Sequence, residues 1–199
     1  MIPVEPVVLV VNGSPRKGGN SDLAAARVLD GVRQAGRRGT EVRLRELAFR
    51  SCIGCEGCRK AGRCVTEDDL AGVYPEVERS QGIVLISPVH NYNVTAWMKA
   101  FVDRLYCYYE FEEPRPGPWA SRLAGQARKA AVVAIGEQHA REDMGFALEA
   151  MAWPLQALGY EVVREVPVLG VFGRGELAGA RDALAELEAC GRELAAALG

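Results

Sequence analysis

Short runs of β-branched residues alternate with stretches of helical periodicity along the whole chain, and that alternation leaves few folds open. Val7–Asn12, Gly82–Ser87, Lys129–Ile135 and Glu161–Val168 read as buried strands. Thr40–Arg45 alternates Val42 and Leu44 with charges and suits a more exposed strand. Between them, helical spacing recurs over Asn20–Ala35, Asp69–Ser80, Val94–Tyr109, Met144–Leu158 and Glu176–Leu198. Strand–helix alternation with five strands predicts an α/β protein: a doubly wound, five-stranded parallel sheet of order 2-1-3-4-5 with helices on both faces. Such a sheet binds its ligand at the carboxyl ends of the strands, where the winding reverses.

Composition narrows the function classes. The 199 residues suit one domain over 1–199, with 49% apolar and 25% charged residues. A net charge of −2 gives no field for nucleic acid or an anionic membrane. The apolar runs fall well short of the roughly 20 residues that cross a bilayer, and no export signal opens the chain. The expectation is a cytoplasmic protein. Pro75 and Pro154 fall within helical patterns and predict a kink or break at each. Glu112–Gly125, with Pro114, Pro116 and Pro118, reads as a loop. The leucine stripe of Glu176–Leu198 reads as core packing in preference to a coiled coil.

The loop after the first strand is Asn12-Gly-Ser-Pro-Arg-Lys-Gly-Gly-Asn-Ser21. Its glycines permit close backbone approach, and the helix that follows presents free N–H groups and a positive dipole end, an anion site. A dinucleotide G-x-G-x-x-G is absent. An NTPase loop is absent too, because Gly19 and Asn20 stand where Lys and Ser/Thr would reach the outer phosphates and Mg²⁺. Ser14, Asn20, Ser21 and Arg16 remain, a set suited to one terminal phosphate monoester; the competing reading is a glycine-rich turn capped by Asn20 and Ser21. The loop after the third buried strand, Ser87-Pro-Val-His-Asn-Tyr-Asn-Val94, faces the first across the switch point. It offers flat side chains and amides to a planar heterocycle, while Asn93 or Thr95 can equally cap the next helix. A phosphate cradle beside a flat, polar-edged slot describes a flavin mononucleotide (FMN) site.

The segments GSPRKGGNS and SPVHNYNVTAWMKAFVDR resemble the two signature stretches of the flavodoxin-like NAD(P)H-dependent FMN reductases. The resemblance implies a flavodoxin-like fold. It implies that Ser14, Arg16, Asn20 and Ser21 hold the FMN phosphate and that Pro88, Val89, His90, Asn91, Tyr92 and Asn93 line the isoalloxazine. Gly136 would sit by the ring's far edge. His90 departs from the family, which often has Tyr there. The resemblance also implies a homodimer or homotetramer; the aromatic run Trp97–Tyr109 suits either that contact or the core.

Four of six cysteines fall in one compact run, Cys52-x₂-Cys55-x₂-Cys58-x₅-Cys64. In a reducing compartment clustered thiols point to metal or redox chemistry before disulfides. Three thiols at x₂ spacing with a fourth beyond Gly62 can wrap a [4Fe–4S] cluster; zinc favours two pairs split by a longer loop. The run resembles the compact motif of the iron–sulfur flavoproteins, but plain flavin reductases with similar loops leave free thiols equally open. Cys107 and Cys190 read as small buried side chains.

The leading expectation is an FMN oxidoreductase that takes hydride from NAD(P)H and passes electrons to a small-molecule acceptor such as a quinone, flavin, nitro or azo compound or metal ion. With two His and no nucleophile–base pair, no side chain is assigned as catalytic. The alternative is an iron–sulfur flavoprotein fed by ferredoxin through Cys52, Cys55, Cys58 and Cys64. A third reading is a redox-sensing module with the thiols as sensor.

Overall fold

The computed structural model describes residues 7–199. β1 (Val7–Asn12) is buried at every position after its first, as befits a central strand. It leads through the glycine-rich loop to α1 (Asn20–Gln34) and the edge strand β2 (Arg38–Arg43). The cysteine segment follows, with the short α2 (Gly57–Ala61), then α3 (Tyr74–Arg79), β3 (Gly82–Pro88) and α4 (Ala96–Arg104). A hairpin of β4 (Tyr109–Phe111) and β5 (Trp119–Ser121) precedes β6 (Lys129–Ile135), α5 (Glu149–Ala157), β7 (Glu161–Val168) and α6 (Arg181–Ala196).

The five long strands are all parallel, in the order β2-β1-β3-β6-β7. Counted without the hairpin, this is the expected 2-1-3-4-5. Val10 pairs with Val84, and Val84 with Ala131, so the centre of the sheet is apolar across three strands. Alternate residues serve opposite faces. Leu9, Val11, Ile83, Leu85 and Val132 pack against Met98, Phe101 and Leu155 on one side. Val8, Val10, Val84, Ile86 and Val133 pack against Val28, Leu187 and Leu194 on the other. The leucine stripe of α6 is therefore core, as the spacing suggests.

On that second face α1 and α6 cross with their backbones almost in contact. A Cβ on Gly31 would lie 1.9 Å from Glu188 O, and one on Gly191 would lie 1.9 Å from Val28 O. Only glycine fits at either position. Among the described residues no helix is long and apolar enough to cross a membrane.

Several local expectations are corrected. The Asp69–Ser80 pattern does break just before Pro75, into a 3₁₀ turn Asp69–Gly72 and α3, and Pro75 sits in the first turn of α3, where its missing N–H has no partner to lose. Pro154 lies inside α5, and the helix continues past it, with Leu158 N–H donating to Pro154 O at 2.9 Å. Glu112–Gly125 is not loop throughout, because Trp119–Ser121 pairs with Tyr109–Phe111. The second strand starts and ends two residues earlier than Thr40–Arg45, and Leu44 turns inward, fully buried. Besides α3, three helices are shorter than their apolar spacing. Thr95 accepts the Met98 N–H (3.1 Å) as N-cap of α4, Gly145 at φ +57° delays α5, and Ala180 separates a 3₁₀ turn, Glu176–Gly179, from α6.

Candidate functional site

The carboxyl ends of β1, β3 and β6 converge on a cleft, and the first loop forms one wall. Asn12, at the end of β1, is fully buried; its amide oxygen accepts the Ser14 N–H at 3.0 Å and its amide nitrogen donates to Asp22 and Glu41. Ser14 Oγ accepts the Arg16 N–H (3.2 Å), which folds the loop back towards α1. Gly18, at φ +66°, donates its N–H to Asp22 Oδ2 (2.7 Å). The N-cap of α1 is Gly19, and no side chain caps the helix. Its first N–H groups and its positive dipole end are thus left to the cleft.

This end of the cleft has a volume of about 130 Å³. It is lined by Ser14, Arg16, Asn20 and Ser21 from the first loop, Pro88, Val89 and His90 after β3, and Ile135 and Glu137 at the end of β6. Val171, Phe172 and Arg174 complete it from the β7–α6 loop. A second cleft of about 270 Å³ adjoins, lined by Asn91, Tyr92, Gly136, Gln138 and Met144, and shares Val89 and Glu137 with the first. The two expected groups therefore meet at one site. Asn93 lines neither cleft: it closes a turn with His90, and its side-chain oxygen accepts the Val94 N–H at 2.8 Å. Asn20 lines the cleft, but its amide is committed at both ends, donating to Gly173 O (2.9 Å) and accepting from Leu177 N–H (3.1 Å). Sequence reasoning missed Phe172, Arg174 and Glu137. The β7–α6 loop carries no phosphate-loop signature, and only the strand order brings it to the first loop.

The turn His90–Asn93 has positive φ at both central residues, Asn91 (51°) and Tyr92 (63°), with reciprocal backbone bonds of 2.8 and 3.1 Å. This is the hairpin geometry that glycine and asparagine favour, so Tyr92 is strained. It is held by Phe146 N–H donating to Tyr92 O (2.9 Å), and by Gly145, where a Cβ would lie 2.2 Å from that oxygen. His90 and Tyr92 are exposed at the mouth. Gly136 allows close approach on the far side, since a Cβ there would lie 3.3 Å from Met144 Cε and 3.7 Å from Val89 Cγ2.

These residues fit FMN. Two hydroxyls, two guanidiniums and an uncapped helix start suit a phosphate dianion. Val89, Ile135 and Met144 with the flat turn suit the two sides of a ring system.

The four cysteines of the compact run border one small cavity with Thr66, Arg104, Tyr106 and Cys107. Cys107 is thus no isolated core residue; it adjoins the loop thiols, and burial pushes it up to about 12. Burial also raises Cys58, with Cys64 adding to it. Cys64 differs: burial would raise it, but the Thr66 N–H, the Tyr74 hydroxyl and the Arg104 charge bring it below the usual thiol range. Arg104, almost fully buried, fixes both ends of this segment. It donates to Arg50 O at 2.9 Å on one side and to the Asp68 carboxylate at 2.8 and 3.1 Å on the other. Among the described residues no three His, Cys, Asp or Glu side chains converge on a single ion. A four-iron cluster takes its thiolates from around itself, and cysteines surrounding a shared cavity are the donor type it needs.

A family model described as NADPH-dependent FMN reductase matches residues 6–158. The chain is 33% identical over 151 residues to an iron–sulfur flavoprotein of Archaeoglobus fulgidus, covering 75% of this chain and 64% of that one. It is 32% identical over 97 residues to an iron–sulfur flavoprotein of Methanocaldococcus jannaschii, covering 49% and 50%. These matches thus span half to just under two thirds of those relatives. Among solved structures, an NAD(P)H:quinone oxidoreductase from Methanothermobacter marburgensis superposes with a TM-score of 0.77 at 20% identity, covering 96% of this chain and all of that one. An FMN-dependent NADH-azoreductase of Bacillus anthracis superposes with a TM-score of 0.70 at 14% identity, covering 96% and 99%. At those identities the likeness is one of fold.

Proposed function

The chain belongs to the NADPH-dependent FMN reductase family, and from that premise we propose that it is an FMN-dependent oxidoreductase working between NAD(P)H and a small acceptor such as a quinone, flavin, nitro or azo compound or metal ion. The observation that carries this reading is the junction of the two clefts: an uncapped helix start with Ser14, Arg16 and Ser21 at one end, and the strained Pro88–Tyr92 turn facing Gly136 at the other. When bound, FMN would supply acceptance of a hydride from the nicotinamide and release of its two electrons to the acceptor. The chain's own residues bind and orient. Ser14 and Ser21 hydroxyls and the Arg16 guanidinium hold the phosphate. The turn Pro88–Tyr92 would flank the ring; the Val89 and His90 N–H groups are taken by Ile135 O and Asn93 O, which leaves those of Asn91 and Tyr92 to its polar edge. Val89 and Met144 exclude water from its inner side. Exposed His90 and Tyr92 leave the outer side open to a second substrate.

The compact cysteine run and the names of the curated relatives favour a second reading. Here Cys52, Cys55, Cys58 and Cys64 would hold a [4Fe–4S] cluster, which would supply one-electron transfer from a donor such as ferredoxin to FMN. The apolar groove between α4 and α5, lined by Val102, Tyr106, Tyr109 and exposed Trp153, supports a homodimer or homotetramer.

The test is the visible spectrum of protein purified without oxygen, with NADPH oxidation assayed beside it. Flavin bands with steady turnover on a quinone support the first reading. An added broad shoulder with bound iron and sulfide supports the second. A flavin-free protein that takes up no FMN contradicts both.

A further inference from the structure

Two arginines from opposite loops cross over the phosphate end of the cleft. Arg16, from the first loop, donates from Nη1 to Phe172 O at 3.1 Å and lies 5.1 Å from the centre of the Phe172 ring. Arg174, from the β7–α6 loop, reaches the other way and donates from Nη2 to Lys17 O at 2.6 Å. Asn20 joins the same two loops through Gly173 O and the Leu177 N–H. Glu176 shapes the turn from below, accepting the N–H groups of Phe172 (2.9 Å) and Gly173 (2.6 Å). Segment 170–176 is therefore a strap stitched across the first loop, and both arginines line the cleft.

Glu137 lines the same cleft, but among the described residues neither Arg16 nor Arg174 is engaged by a carboxylate. The nearest loop carboxylate, Asp22, is taken up by Arg45, Asn12 and Gly18. Glu176 is occupied by the strap's own backbone. Each guanidinium carries five N–H donors, and the crossing contacts engage one atom of each. A phosphate monoester carries about −1.5 to −2 charge at neutral pH, which one arginine offsets only in part. We propose that Arg174 is a second phosphate-binding arginine, so that the terminal phosphate of the flavin bridges the first loop and the strap. The proposal rests on the FMN reading of the cleft. The phosphate would add to the contacts by which Arg16, Arg174 and Asn20 already tie the strap to the first loop.

The experiment titrates flavin-free protein with FMN and with riboflavin, for the wild type, Arg174→Ala and Arg174→Gln. Arg174 is exposed, so neither change disturbs the core. The wild type is expected to prefer FMN. Both variants are expected to lose on the order of tenfold in FMN affinity and nothing in riboflavin affinity. Hydrogen exchange of 171–176 is expected to slow on adding FMN but not riboflavin. A wild-type preference for FMN that survives unchanged in both variants overturns the role of Arg174 and leaves the cleft's assignment standing. Equal loss of both flavins makes the strap merely structural and also overturns it. A wild type indifferent to the phosphate overturns the FMN reading itself.

Discussion

Asp22 and Arg45 meet through two hydrogen bonds, 2.8 and 3.1 Å long, beneath the loop that follows β1. The same carboxylate accepts the Gly18 N–H and the Asn12 amide, so it ties the strand end, the loop and the turn after β2 into one unit. Burial alone would raise its pKa, but Arg45, Gly18 and Asn12 together hold it below the usual carboxylate range. A carboxyl lowered in the folded state stabilises above its unfolded pKa of about 4, and that contribution fades as pH falls through the folded value. Asp22→Asn is expected to cost about 1–3 kcal/mol at neutral pH. In urea melts the gap from the wild type should narrow on acidification below about pH 4; a gap that stays constant contradicts the account.

Arg104 is buried against Asp68 and holds the cysteine segment at both ends. Arg104→Met leaves the Asp68 carboxylate without its partner and is expected to cost about 3–5 kcal/mol. Asp68→Asn added to it should recover part of that loss. Limited proteolysis should cut the Arg104→Met protein faster within 51–67, and unchanged cleavage there would show that the arginine does not fix the segment.

Gly191 meets the backbone of α1, with nothing flexible to move aside. Gly191→Ala is expected to destabilise by at least about 2 kcal/mol by forcing the α1–α6 crossing apart. Denaturant unfolding reads this directly, and a neutral result would mean that the crossing is looser than its geometry.

Cys58 is half-buried on the cavity it shares with the exposed Cys52 and Cys55 and with buried Cys107. Cys58→Ser is expected to abolish iron uptake on anaerobic reconstitution and leave FMN content unchanged. Iron retained at the wild-type level would remove the cluster reading.

Much of this was legible in the residues. β-branched runs such as Val7–Asn12 and Lys129–Ile135 announce central strands because both their faces are apolar, and the two ligand loops sit where the strand order puts them. What escaped was non-local. Nothing near Arg174 marks it as a partner of Lys17, since the contact joins residues 157 apart in sequence. Cys107 looks solitary in sequence because only the fold brings it to the loop thiols. The helix starts were overextended because apolar spacing continues through Gly145 and Ala180, where the backbone leaves the helix. Asn20 reads as a cap or a ligand, whereas its amide is a tie between two loops.

Bound flavin is what the two loops are built to hold, and extracting and quantifying it from freshly purified protein tests that most directly. FMN is expected, released on denaturation, at close to one per chain. Protein that yields no flavin, and binds none when FMN is added back, would contradict it.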